Sequence, residues 1–140
     1  MTTKEYLRQL MDSRNELKSA IYTINEQRSL LTSISINTDN ERVQSSSDPD
    51  KMSTMIGAIL EREAELQIKV EKYLALENML SAMIDKLPNP LHRDVLRCRY
   101  INCMTFDAIR VCIDKSLRHV TRIHGMALLE FEKMFGEIYL

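Results

Sequence analysis

From Lys4 to about Ile34 the apolar side chains recur every seven residues. Leu10, Leu17, Ile24 and Leu31 hold one position, and Leu7, Arg14, Ile21 and Arg28 hold its companion. The pattern returns from Met52 to Leu87 as Met52, Ile59, Leu66, Tyr73, Leu80 and Leu87, with Ile56, Glu63, Val70, Glu77 and Ile84 beside them. Sustained heptads predict two long helices that meet along a narrow seam. Each would be on the order of 45–50 Å long at 1.5 Å per residue. Between them, residues of about 35–51 are polar, with Thr38-Asp39-Asn40 and Ser45-Ser46-Ser47-Asp48-Pro49-Asp50. This composition predicts a solvated loop, with Pro49 in the first turn of the second helix and Ser47 or Asp48 capping it. So long a loop is unusual in a compact domain and also suits contact with a partner.

The charged residues inside the seam bear on its register. Arg14 and Arg28 are 14 residues apart, and so are Glu63 and Glu77. If the helices fold back on each other, Arg14 falls near Glu77 and Arg28 near Glu63, which fixes an antiparallel register. The alternative is that all four long side chains bend outward to water. A parallel homodimer would set like charges against each other and is disfavoured. Met11, Met55, Leu60, Leu74 and Leu76 add apolar surface beyond a two-helix seam, so self-association through the hairpin is a further expectation.

At Leu87-Pro88-Asn89-Pro90 two prolines forbid continuous helix. The chain is therefore read as a helical hairpin over 1–87 and a second domain over 88–140. In the latter, Leu91, Val95, Leu96 and Tyr100 share one helix face, over about Leu91 to Tyr100. Thr105 has the right side chain to cap a short helix carrying Phe106, Ile109 and Ile113 inward, and Asp107 suits its positive start. Ser116 is placed to cap a third helix running to about Phe135 and stopping near Gly136. Its inward face is Val120, Ile123, Ala127, Leu128 and Phe131. A short helix, a tight turn over Ile113 to Ser116 and a longer helix make a helix-turn-helix. The expected class is all-α.

Composition fits this pattern and narrows the function. Three Gly, three Pro, nine Met, no Trp and 6% aromatics suit helices and not a β-sandwich. No apolar run approaches the roughly 18 residues of a membrane helix, and Met1 to Leu10 lack a signal-peptide core. Three cysteines without a Cys-x-x-Cys spacing point to a reducing, cytoplasmic compartment. The net charge of -1 excludes a globally basic nucleic-acid coat. Its distribution is uneven, however. Residues 1–87 carry 11 basic and 14 acidic side chains, whereas 88–140 carry 8 and 6 and all three histidines.

The run Val95-Leu96-x-x-Arg99-Tyr100, then Thr105-x-x-x-Ile109, then Ser116-x-x-x-Val120-x-x-Ile123-x-x-x-Ala127-Leu128, resembles sigma factor region four. Tyr100-Ile101 and His124-Gly125-Met126-Ala127-Leu128 resemble more closely a family of small phage proteins akin to the ArpU-type late transcriptional regulators. Lys4-Glu5-Tyr6-Leu7 and Val43-Gln44-Ser45-Ser46 extend the resemblance over nearly the whole chain. It implies a phage or prophage regulator of late genes in a bacterial host, bound to double-stranded DNA, with host RNA polymerase as a second partner. The chain departs from that pattern in having Arg110 after Ile109 and Ile113-Asp114-Lys115 in place of a Leu-Gly turn. Without glycine, Asp114 or Lys115 is expected to take an unfavourable backbone conformation.

From Lys115 through Leu129 there is no acidic residue. Arg118 and Arg122 lie one turn apart, away from Val120 and Ile123, and His119 adjoins them. Lys115, Ser116, Arg118, His119 and Arg122 are therefore the candidate DNA-binding residues of a reading helix over 117–135. Lys115 is assigned to phosphate, and Arg118, His119 and Arg122 to base edges or phosphate. A solvated basic face is the plainer alternative. Cys98, Cys103 and Cys112 are expected to be packing residues, with no metal or cofactor, and His124 a packed histidine. Nothing specifies a nucleophile with an oriented base or a phosphate-binding glycine loop, so no enzyme is expected. The competing function is a DNA-packaging or structural adaptor of small-terminase type. Such adaptors more often place their DNA-binding module first, whereas here it is last.

Overall fold

The computed structural model describes the backbone of residues 1–40 and 49–140, and the side chains of 1–34 and 50–140. Among the described residues there is helix and no strand. A long helix pair, α1 (Thr3–Asn40) and α2 (Pro49–Asp85), is followed by α3 (Pro90–Leu96), a π-helical turn (Arg97–Ile101), α4 (Phe106–Ile113) and α5 (Leu117–Tyr139). By compactness the chain divides into Met1–Arg14 with Tyr73–Leu140, and Asn15–Lys72.

The helix pair reaches into the stretch expected to be loop. α1 runs on to Asn40, because residues 35–40 contain neither Gly nor Pro and extending a helix costs far less than nucleating one. Pro49 is the first residue of α2, where its missing N–H is no loss. The loop expected over 35–51 is thus corrected at both ends. The caps proposed at Ser47 and Asp48, and the rest of that loop, lie outside the described residues.

Among the described residues within Asn15–Lys72, Leu17, Ile24 and Ile59 are the buried apolar ones. Glu16 pairs with Lys69 at 3.2 Å and Arg28 with Glu63. The partner number falls as the α1 number rises, so this segment is antiparallel. Arg28 Nε donates to Glu63 Oε1 at 2.6 Å, as the seam register requires. The matching pair at Arg14 and Glu77 does not form. Arg14 donates instead to the Ile101 carbonyl at 3.1 Å, at the end of the π-helical turn, where that oxygen has no helical partner.

In the other unit, one core joins Tyr6, Leu7 and Leu10 of α1, Leu80, Met83 and Ile84 of α2, Tyr100, and Ala127 and Phe131 of α5. A second, smaller core holds Val95, Ile109, Val120 and Ile123. Asn89 Oδ1 accepts from the Leu91 N–H at 2.9 Å and Pro90 opens α3, so the proline pair ends one helix and starts the next. The π-helical turn follows from an Asn102 N–H to Arg97 carbonyl bond at 3.0 Å. Arg99 closes this corner, donating to the Met104 carbonyl at 2.9 Å with its guanidinium 4.7 Å from the Phe106 ring centroid.

The stop expected at Gly136 is corrected as well. α5 continues to Tyr139, whose ring stacks on Tyr6 at 4.3 Å and whose hydroxyl lies 2.8 Å from Thr3 Oγ1. These contacts hold the last turn in register, and no glycine has positive φ. A Cβ at Gly136 would meet the tip of the Leu140 side chain at 3.1 Å, and that side chain is exposed and has room to rotate. Gly136→Ala is therefore expected to stabilise the protein by up to about 1 kcal/mol through helix propensity. Thermal unfolding checks this: a lower Tm would mean that α5 depends on the glycine.

Candidate nucleic-acid interface

α4 and α5 are set by local chemistry. Thr105 Oγ1 accepts from the Ala108 N–H, and Ser116 Oγ from the His119 N–H, each at 3.2 Å. α4 ends at Asp114, which takes the left-handed conformation at φ 53°, while the Lys115 N–H reaches back to the Arg110 carbonyl at 3.2 Å. The glycine-free turn thus places its strain on Asp114. Ile109 from α4 and Val120 and Ile123 from α5 lock the two helices together and leave the opposite face of α5 to solvent.

On that face Arg118 and Arg122 are exposed, as are Lys115 and Ser116, and His119 is half-buried. Ser116, Arg118, His119 and Arg122 border one shallow, open recess together with Leu117 and Thr121, while Lys115 stands in the turn outside it. No acidic residue occupies the first turn of α5, whose free N–H groups add partial positive charge. Leu117 is 46% exposed, an apolar contact that sequence reasoning missed. Its signal was its place one residue after the cap, where a helix start faces outward. Thr121 is less available, since its hydroxyl donates to the Leu117 carbonyl at 2.9 Å.

The other arginines of residues 88–140 are occupied by the protein itself. Arg93 donates to the Leu87 carbonyl, Arg97 pairs with Asp85 and donates to Ser81 at 3.0 Å, Arg99 closes the π-helical corner, and Arg110 lies 3.7 Å from Asp107. Among the described residues, the side chains of Lys115, Arg118 and Arg122 have no hydrogen bond or ion pair. They can meet an external anion without breaking an internal contact.

The two remaining histidines are inward. His92 is buried and pairs with Glu130, a partnership the sequence did not signal. His124, 7% exposed, shares a 2.8 Å hydrogen bond with the Tyr100 hydroxyl and meets Phe106 edge-on at 5.0 Å. It is a packed histidine. Burial, and then the positive charges of Lys4 and Arg99, push its pKa down to about 4. The folded value lies below the ordinary 6.5, so protonation favours the unfolded chain. Its contribution is complete above about pH 6.5 and falls by roughly 3 kcal/mol on going to pH 4. Urea titrations across that range should show this slope in the native protein and its loss in His124→Gln; equal slopes would contradict it.

The expectation that all three cysteines pack is corrected for Cys112, which is exposed, as its position on the outer face of the short α4 demands. Cys98 packs against the smaller core, and burial raises its thiol pKa. Among the described residues, no three His, Cys, Asp or Glu side chains are grouped to hold a metal, and no helix is long and apolar enough to cross a membrane. No family model, curated protein or solved structure matches the chain.

Proposed function

We propose that the chain is a sequence-specific DNA-binding transcription regulator of phage or prophage type, acting on late genes. α4 and α5 serve as a helix-turn-helix similar to sigma factor region four, and the N-terminal end of α5 lies in the major groove. The observation that carries this reading is the contrast among the arginines. Arg93, Arg97, Arg99 and Arg110 are spent on internal contacts, whereas Arg118 and Arg122 stand unpaired, one turn apart, at a helix start. Arginine at such a position can grip guanine edges or phosphates, and Lys115 a phosphate at the groove wall. Leu117 suits a thymine methyl. Bacterial RNA polymerase is the second partner the reading implies.

Selection from a randomised duplex pool, followed by footprinting on the enriched sequence, tests it. One recurring site is expected, with affinity falling with salt by a slope of roughly -0.9 per phosphate neutralised. A pool that enriches nothing would end this reading. A ring-shaped oligomer wrapping DNA without a preferred site would favour the packaging adaptor.

A further inference from the structure

Among the described residues of the segment Asn15–Lys72, only Leu17, Ile24 and Ile59 are buried apolar residues, a thin core for so long a stretch. Tyr22, Leu30 and Ile68 are exposed elsewhere on this segment, and one side of the seam carries a contiguous set of its own. There Ile21, at a heptad core position, is 43% exposed, Ile56 is 42% exposed and Leu60 is 57% exposed. Two adjoining recesses run along this side, one bordered by Ile21, Val70, Arg28 and Glu63, the next by Arg28, Ile56 and Leu60. Together they form a groove of mixed lining, in which Asn25, Gln67 and Thr32 accompany the apolar side chains, with the Arg28–Glu63 pair at its middle. Ile21 lies one heptad before Arg28, and Ile56 and Val70 lie one heptad either side of Glu63.

We propose that a second copy of this chain fills this groove, making an antiparallel four-helix bundle with a two-fold axis parallel to the helices. The charges select that axis. A two-fold axis across the helices would lay α1 on the partner's α1 and set Arg28 against the partner's Arg28, a repulsive match. The axis along the helices lays α1 on the partner's α2 at the same level. Arg28 then faces the partner's Glu63, and Ile21 meets the partner's Val70. The result is a ring of two arginines and two glutamates between apolar layers, self-complementary as a two-fold interface must be. Every neighbouring pair of helices is antiparallel, as in simple four-helix bundles. The dimer is independent of what α5 binds.

The mass of the full chain in solution, by light scattering or sedimentation equilibrium, is the first readout. Twice the 16.3 kDa of one chain is expected, and a mass of one chain, or above two, overturns the proposal. Arg28→Glu and Glu63→Arg separately place four like charges at the centre of the interface. Each is expected to weaken self-association on the order of 100-fold. Mixed together, the two variants restore opposite charges between chains and should regain the dimer; failure of the mixture to do so overturns the arrangement. Because each charge variant also loses the pair within its own hairpin, Ile21→Lys provides a second probe. Its side chain is already exposed in the single chain, so circular dichroism should show unchanged helix while the dimer mass is lost. A dimer that survives Ile21→Lys overturns the interface.

Discussion

Arg118→Ala with Arg122→Ala is expected to weaken binding to the selected duplex by roughly 2–6 kcal/mol, at about 1–3 kcal/mol for each lost guanine contact. Both side chains are exposed and without internal partners, so the variant should melt as the native protein does. This separates loss of binding from loss of fold. Lys115→Ala, from the turn, should lower affinity for all duplexes alike and reduce the salt slope by about 1. If the double variant binds the selected site as tightly as the native chain, α5 is not the reader. If it binds that site and scrambled duplexes equally weakly, the arginines supply discrimination as well as charge. Fluorescence anisotropy at two salt concentrations distinguishes these results.

The geometry behind that experiment was legible in the sequence where local chemistry decides it. Thr105 and Ser116 have side chains that cap helices, and each caps one. Val120, Ile123, Ala127 and Phe131 follow one helical face and are all buried, the first two in the smaller core and the last two in the larger, with Leu128 half-buried beside them. The missing glycine at the α4–α5 turn announced a strained residue, and Asp114 is that residue. The heptads gave the helix pair, and the 14-residue charge spacing gave Arg28 its partner. What could not be read depends on contacts distant in sequence. Arg14 leaves the seam for the Ile101 carbonyl, 87 residues away, because the π-helical turn leaves that oxygen free. No residue type announces such a turn. Gly136 carries the chemistry of a helix stop, but Tyr139, held by Thr3 and Tyr6, keeps the helix going. His92 finds Glu130 on another helix, 38 residues away, where no local pattern marks the pair. Polarity foretold a loop from residue 35, yet helix already under way continued to Asn40.

Phe131→Ala is expected to cost about 3–5 kcal/mol of stability, the largest effect of any single core truncation here. Phe131 is fully buried and is the residue of α5 at which three other rings converge. Phe135 lies at 5.0 Å, Tyr139 at 6.2 Å and Tyr6 at 6.3 Å between centroids. Removing the ring leaves a cavity that these neighbours cannot close without giving up the Tyr6–Tyr139 stack and the Thr3–Tyr139 hydrogen bond. Against a net stability of about 5–15 kcal/mol, that loss brings the chain close to unfolding. Urea denaturation should show a midpoint shifted to much lower concentration with an unchanged slope, since the same surface is exposed. The comparison with Leu129→Ala makes the test specific. Leu129 is on the same helix but 68% exposed, and its truncation should leave the midpoint within the error of the measurement. Equal shifts for the two variants would mean that α5 is not anchored through Phe131. The face carrying Arg118 and Arg122 would then be held by the Val120, Ile123 and Ala127 contacts and by the bonds of His124 to Tyr100 and Glu130 to His92.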